Sequence, residues 1–187
     1  MTVRILIILL LAGVVGLGGC QTTGGTAPDS TAAAQIDRDV DAALTNLYDS
    51  VPSATEIAGQ ANGILVFPRI VKGGFVVGAH YGKGALRQGE HTAGYYSTLA
   101  ASYGLQAGIQ SFGYVLFFMN DDALSYLDRS GGWEVGVGPS IVILDHGKAR
   151  AITTTTLKDD IYAFIFDQKG LMAGLGLQGS KITKINP

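Results

Sequence analysis

Bulky apolar residues alternate with positions that are mostly glycine or small polar groups through several stretches of this chain, and that spacing restricts the fold more than any other feature. Phe75, Val77, Ala79 and Tyr81 alternate with Gly74, Val76, Gly78 and His80. Tyr103, Leu105, Ala107 and Ile109 alternate with Gly104, Gln106, Gly108 and Gln110. Trp133, Val135, Val137, Ile141 and Ile143 alternate with Gly132, Glu134, Gly136, Gly138 and Ser140, and Leu171 to Leu177 repeats the pattern. Successive strand side chains point to opposite faces, so each stretch has one bulky face and one nearly bare face. Alternation of this kind predicts antiparallel sheet. Glycine inside a strand costs stability and needs a cause, either sharp curvature or the close approach of another backbone. The expected fold is α+β: a strongly curved, barrel-like antiparallel β-sheet rich in glycine, with an N-terminal amphipathic helix and short helices packed on it.

Composition narrows the alternatives. The 27 glycines among 187 residues follow no G-X-Y period and come with only 5 prolines, which excludes collagen. A mean hydropathy of +0.29 excludes a disordered chain. A net charge of −2 gives no nucleic-acid footprint. The charge is uneven: residues 20–60 hold six acids and one base, residues 61–187 nine acids and eleven bases.

Helices are expected where the period changes. Asp29 and Ser30 can cap a helix running to about Asp49, with Ile36, Val40, Ala43, Leu44, Leu47 and Val51 as its apolar stripe. Asp37, Asp39 and Asp41 fall mostly on the other side. A membrane-surface helix normally has a basic polar face, so this acidic one is expected to pack on the protein's own core. Ser53-Ala54-Thr55-Glu56 has capping-box spacing for a short helix ending near Asn62-Gly63. A further helix spans Asn120 to Arg129, with Asn120 or Asp121 as cap and Leu124 and Leu127 facing in. Asp145 to Lys148 and Asp167 to Gly170 have hairpin-turn chemistry.

The single cysteine lies outside this pattern. Residues 1–20 read MTVRILIILLLAGVVGLGGC: Arg4, an apolar run from Ile5 to Val15, then Leu17-Gly18-Gly19-Cys20. The run fits a signal-peptide core and is short for a bilayer span. Its end resembles a lipobox, the bacterial lipoprotein processing signal. That resemblance implies a signal peptide at 1–19, cleavage before Cys20, lipid attachment at Cys20 and a flexible tether over 20–30 leading to one domain at 31–187. Gln21, not Asp, after the cysteine favours the outer membrane by resemblance to enterobacterial sorting. The expected location is the bacterial cell envelope, lipid-anchored and facing the periplasm.

Catalytic and metal motifs are not found. No serine sits in Gly-x-Ser-x-Gly, and His80, His91 and His146 form no ligand pair. Asp121-Asp122 and Asp159-Asp160 read as capping and solvated residues. Gly174 to Gly179 spells a dinucleotide fingerprint, but it opens no helix and no acid follows about twenty residues on. No cofactor and no enzymatic activity are expected.

The ordered motifs resemble the SYLF domain: Ala61 to Pro68, Lys72-Gly73-Gly74-Phe75, Val77-Gly78, Tyr81-Gly82-Lys83-Gly84, Gly104 to Ser111, Phe117 to Asn120, and Gly170 to Ser180. The resemblance covers roughly 35 to 185 and implies a lipid-binding domain. Eukaryotic members bind phosphoinositides, and the yeast branch also bundles actin. Gly138-Pro139-Ser140 and the acidic N-terminal helix depart from the pattern, and an exported lipoprotein would meet no actin in its own cell. Membrane phospholipid is the expected partner. Arg69, Lys72 and Lys83 are the expected headgroup residues, with Phe75 and Tyr81 entering the membrane interface. Two other readings fit the same residues: the aromatics are core and the lysines solvated, or the sheet docks an envelope protein and lipid is incidental.

Overall fold

The computed structural model describes residues 30–75, 77–103, 108–129, 131–144, 157–170 and 179–187. Helix α1 (Ser30–Ser50) and the shorter α2 (Pro52–Ala58) precede four long strands: β1 (Gly63–Gly74), β2 (Val77–Gln88), β3 (His91–Tyr103) and β4 (Gly108–Phe118). Helix α3 (Asp121–Leu124) continues as a 3-10 turn over Ser125–Asp128. Then come β5 (Trp133–Glu134), β6 (Ile141–Leu144), β7 (Ile161–Gly170) and β8 (Lys181–Ile185). All eight described strands join one sheet in the order β5-β8-β3-β2-β1-β4-β7-β6, curled into a half-barrel.

Each pairing is antiparallel except β6 with β7, which is parallel. The expectation of a wholly antiparallel sheet is corrected there. Residues 145–160 separate the two strands, a connection long enough for the crossover that parallel neighbours require.

The two faces of the sheet carry separate cores. On the helix face, Val40, Ala43, Leu47 and Val51 of the α1 stripe meet Val66, Ala85, Val115, Phe117, Tyr162 and Phe164. Val40 and Leu47 are fully buried, so the amphipathic helix packs on its own sheet as its stripe predicts. On the second face, Phe67, Tyr96, Tyr114, Leu116 and Phe118 pack with Leu127 and Trp133.

The buried glycines of β2 have the expected cause. A Cβ at Gly84 would lie 1.9 Å from the Val66 carbonyl oxygen, and one at Gly82 would lie 2.9 Å from that of Arg69. Both carbonyls flank a break in the β1–β2 register between Val66 and Arg69, where Pro68 has no N–H to give the ladder. Protein, in the form of the bulged β1 main chain, occupies the bare face at these two positions.

Local details depart from the sequence reading. The chain bends at Phe75, and Gly74 pairs with Gly78, so Phe75 to Tyr81 is a hairpin tip plus the start of β2, not one strand. Helix α2 begins at Pro52, and its Val51 cap has no side-chain hydrogen bond, so the Ser53–Glu56 box is not its start. Proline at the first position already tolerates the missing N–H bond. Trp133 to Ile143 divides into β5, a turn with Gly136 and Gly138 at φ 99° and 100°, and β6. Asp167 to Gly170 lies inside β7 as a bulge, opposite a register shift between Ser111 and Gly113. Asn120 does cap α3, its Oδ1 accepting from the Ala123 N–H at 2.8 Å. Cys20, the segment 1–19 expected as a signal peptide, the Asp145 turn and the Leu171 to Leu177 stretch lie outside the described residues.

Candidate functional site

Register decides which side chains share a face. Arg69 opposes Lys83, Val71 opposes Tyr81, and Gly73 opposes Ala79 across β1 and β2. Directly opposed residues of an antiparallel pair point the same way, so these form successive rows on the helix face, beyond the end that α1 covers. The Val71–Tyr81 row continues to Ser111 and Lys169 on one side, and to Leu99 and Lys181 on the other. Ile109 lies beside Gly73, and Phe75 stands at the hairpin tip.

The rows make an exposed apolar patch. Phe75 and Ile109 are each 72% exposed, and Val71, Val77, Tyr81 and Leu99 are also well exposed. Arg69, Lys83, Lys169 and Lys181, all exposed, frame it. At about 3.3 Å per residue, the patch extends roughly 13 Å from the Arg69–Lys83 row to the Gly73–Ala79 row. Contiguous apolar surface with a charged rim marks an interaction site.

Lys72 is the exception among the expected headgroup residues. It lies an odd number of residues from Arg69, faces the second side of the sheet and is only 6% exposed. Across the strands it neighbours His80 and Gln110, both buried. The His80 Nε2 lies 3.2 Å from the Ser180 hydroxyl. Burial, and secondly the Lys72 ammonium, hold the His80 imidazole below its ordinary value of 6.5. Lys72 is therefore part of a buried polar row and is absent from the exposed surface. Phe75 and Tyr81 are exposed, so the reading in which they are core is overturned.

The structure adds two features that sequence reasoning missed. Lys169 and Lys181 join the rim from β7 and β8, which only the strand register reveals. Arg69 also lines two adjoining pockets. One, of about 270 Å³, includes Ser111, Asp167 and Lys169; the other, of about 310 Å³, includes Asp39, Asn46 and Asp167. Asp167 lies 3.1 Å from the Lys169 ammonium and has φ 51°.

The acids of α1 have a structural use. Arg87 of β2 binds Asp41 through Nη2 at 2.6 Å, and its Nη1 lies 3.5 Å from Asp37 and donates to the Thr92 hydroxyl. Asp37 also accepts from the Thr92 hydroxyl at 2.7 Å and the Tyr95 hydroxyl at 2.8 Å. Desolvation, then the bond to Asp37, raises the Tyr95 phenol above its ordinary value. Asp37 and Asp41 thus lock the helix to the β2–β3 hairpin and do not merely face solvent. Asp160, partly exposed, is also engaged by the fold: it accepts from the Ser140 N–H at 2.9 Å and the Asn120 amide at 2.9 Å.

No described helix is long and apolar enough to cross a membrane. Among the described residues, no three His, Cys, Asp or Glu side chains gather as a metal site.

Fold and surface together define a helix-backed, glycine-rich half-barrel domain with one exposed, basic-rimmed apolar end. Residues 99–186 match the Ysc84 family, described as Las17-binding protein actin regulator, which agrees with the SYLF resemblance of the sequence over that stretch. The match runs from within β3 to just past β8, so the motifs at 61–84 lie outside it. No significant match is found among curated proteins.

Proposed function

We propose that this is a non-catalytic phospholipid-binding domain of a lipoprotein anchored through Cys20 in a bacterial envelope, probing the membrane with the exposed end of its sheet. The observation that carries this reading is the apolar patch of Val71, Phe75, Val77, Tyr81, Leu99 and Ile109, framed by Arg69, Lys83, Lys169 and Lys181. Apolar groups gain by leaving water, and a rim of cations at the same height meets phosphate. The family's association with lipid binding supports the choice, and the lipobox-like segment supplies the membrane. Its association with actin regulation is not carried over, because an exported protein would meet no actin in its own cell.

The test is vesicle flotation of protein beginning at Gln21, which keeps every described element of the fold. Wild-type protein floats with phospholipid vesicles. The double variant Phe75→Ser with Ile109→Ser loses roughly two orders of magnitude in partitioning, as expected for two side chains withdrawn from the interface. Equal flotation of the two proteins refutes the assigned surface. Failure of the wild type to float, with a stoichiometric envelope protein crosslinked to the patch, favours protein docking instead.

A further inference from the structure

The two pockets at Arg69 hold charges of both signs. Arg69 and Lys169 supply cations, and Asp167 and Asp39 supply carboxylates, with Ser111 lining one pocket and Asn46 the other. Two bulges build this arrangement: β1 shifts register at Pro68, and β7 shifts opposite Ser111 and Gly113. Asp167 sits in the second bulge and is the one described non-glycine residue with a positive φ. Such backbone strain is retained where the surroundings enforce it, commonly at ligand sites.

The charges select among ligands. A headgroup bearing several phosphates would meet Arg69 and Lys169 but crowd against Asp39 and Asp167. A simple cation would meet the reverse conflict. A phosphate joined to a primary ammonium satisfies both sets, with charge-assisted hydrogen bonds at each end. Choline cannot do this, because its quaternary nitrogen has no N–H to donate. The location also suits a headgroup, since Arg69 lies two residues, about 7 Å, from Val71 along the strand, toward α1 and away from the tip.

We propose that this pair of pockets is a headgroup subsite for a phosphoethanolamine-bearing phospholipid, with phosphate at Arg69 and Lys169 and ammonium at Asp167 and Asp39. The proposal rests on the membrane-docking reading and adds headgroup selectivity to it.

Binding is measured by flotation, for protein beginning at Gln21, on three vesicle types: phosphatidylcholine alone, and phosphatidylcholine mixed with phosphatidylethanolamine or with phosphatidylglycerol. Phosphatidylethanolamine should raise affinity over phosphatidylcholine alone by about two- to fivefold, the gain expected of a part-exposed ion pair. In Asp167→Asn that gain disappears while phosphatidylglycerol binding rises, because Lys169 loses its internal partner. Asparagine tolerates a positive φ, so this variant keeps the β7 bulge. Phosphatidylethanolamine binding no better than phosphatidylcholine, or unchanged in Asp167→Asn, overturns the subsite while phosphatidylglycerol binding leaves the docking reading standing. Absence of binding to all three vesicle types overturns both.

Discussion

Replacing Gly84 by alanine adds one methyl group and should be among the most damaging small changes available to this domain. The new Cβ would lie 1.9 Å from the Val66 carbonyl oxygen and 2.8 Å from the Phe67 ring. Ordinary contact needs more than 3 Å, so the β1 main chain must retreat by about 1 Å or more. It has nowhere to go. Val66 and Phe67 are fully buried, Val66 against the helix-face core, and the Phe67 ring stacks on Tyr114 at 6.3 Å. Overpacking of this kind costs about 1–3 kcal/mol, and one or two weakened ladder hydrogen bonds add about 1 kcal/mol each. A loss of about 3–5 kcal/mol is a large share of the roughly 5–15 kcal/mol that holds such a domain folded. Gly59→Ala is the control: φ is −64°, its nearest neighbour is 3.6 Å away, and it should be neutral or stabilise by up to about 1 kcal/mol. Urea unfolding followed by the fluorescence of Trp133, the single tryptophan and a buried one, reads both. A Gly84→Ala protein within about 1 kcal/mol of wild type, at unchanged m-value, would refute the argument that backbone approach requires glycine there.

Arg87→Met keeps the side-chain stem but removes the bonds to Asp37, Asp41 and Thr92, and should cost about 2–3 kcal/mol. Hydrogen exchange should show α1 losing protection before β1 and β4; uniform loss would contradict a local clamp. His80 is held below 6.5, so the fold favours its neutral form; the stability this contributes is present above 6.5 and lost as pH falls through 6.5 toward the folded value. The urea midpoint should therefore drop between neutral pH and mildly acidic pH, and His80→Gln should flatten that drop. Asp160 is held below 3.8, first by the Ser140 N–H and then by the Asn120 amide, so its contribution is present above 3.8 and lost as pH falls below it. Acid titration of Asp160→Asn should lack that part of the low-pH transition.

Local periodicity made much of the fold legible. The α1 stripe, the Asn120 cap and the strand content of residues 63–118 each depend on neighbours a few residues apart, which a sequence displays directly. The hairpin at Phe75 was hidden because Gly74-Phe75-Val76-Val77 continues the apolar alternation and contains no Asn-Gly or Asp-Gly pair. The bulge at Asp167 read as a turn for the opposite reason, since Asp-Gln-Lys-Gly has turn chemistry inside a strand. Of the expected surface residues, Arg69, Lys83, Phe75 and Tyr81 are exposed together, and Lys72 is not. Its parity with buried Ile70 puts it on the opposite face of β1 from Arg69, whatever their closeness in sequence. Lys169, Lys181 and the Arg87 clamp were out of reach, because each depends on partners from 46 to 82 residues away.

The two described strands that end the sheet are its shortest, β5 with two residues and β6 with four. An open half-barrel leaves two borders where another chain could add a strand, and a long flat border invites polymerisation. The proposed docking on a membrane would confine molecules to a plane and raise the frequency with which such borders meet. Among the described residues, so few backbone groups are offered at either border that a neighbour pairing there gains few hydrogen bonds. Such short described borders would suit a half-barrel held at high density in two dimensions, with no need of a closed barrel.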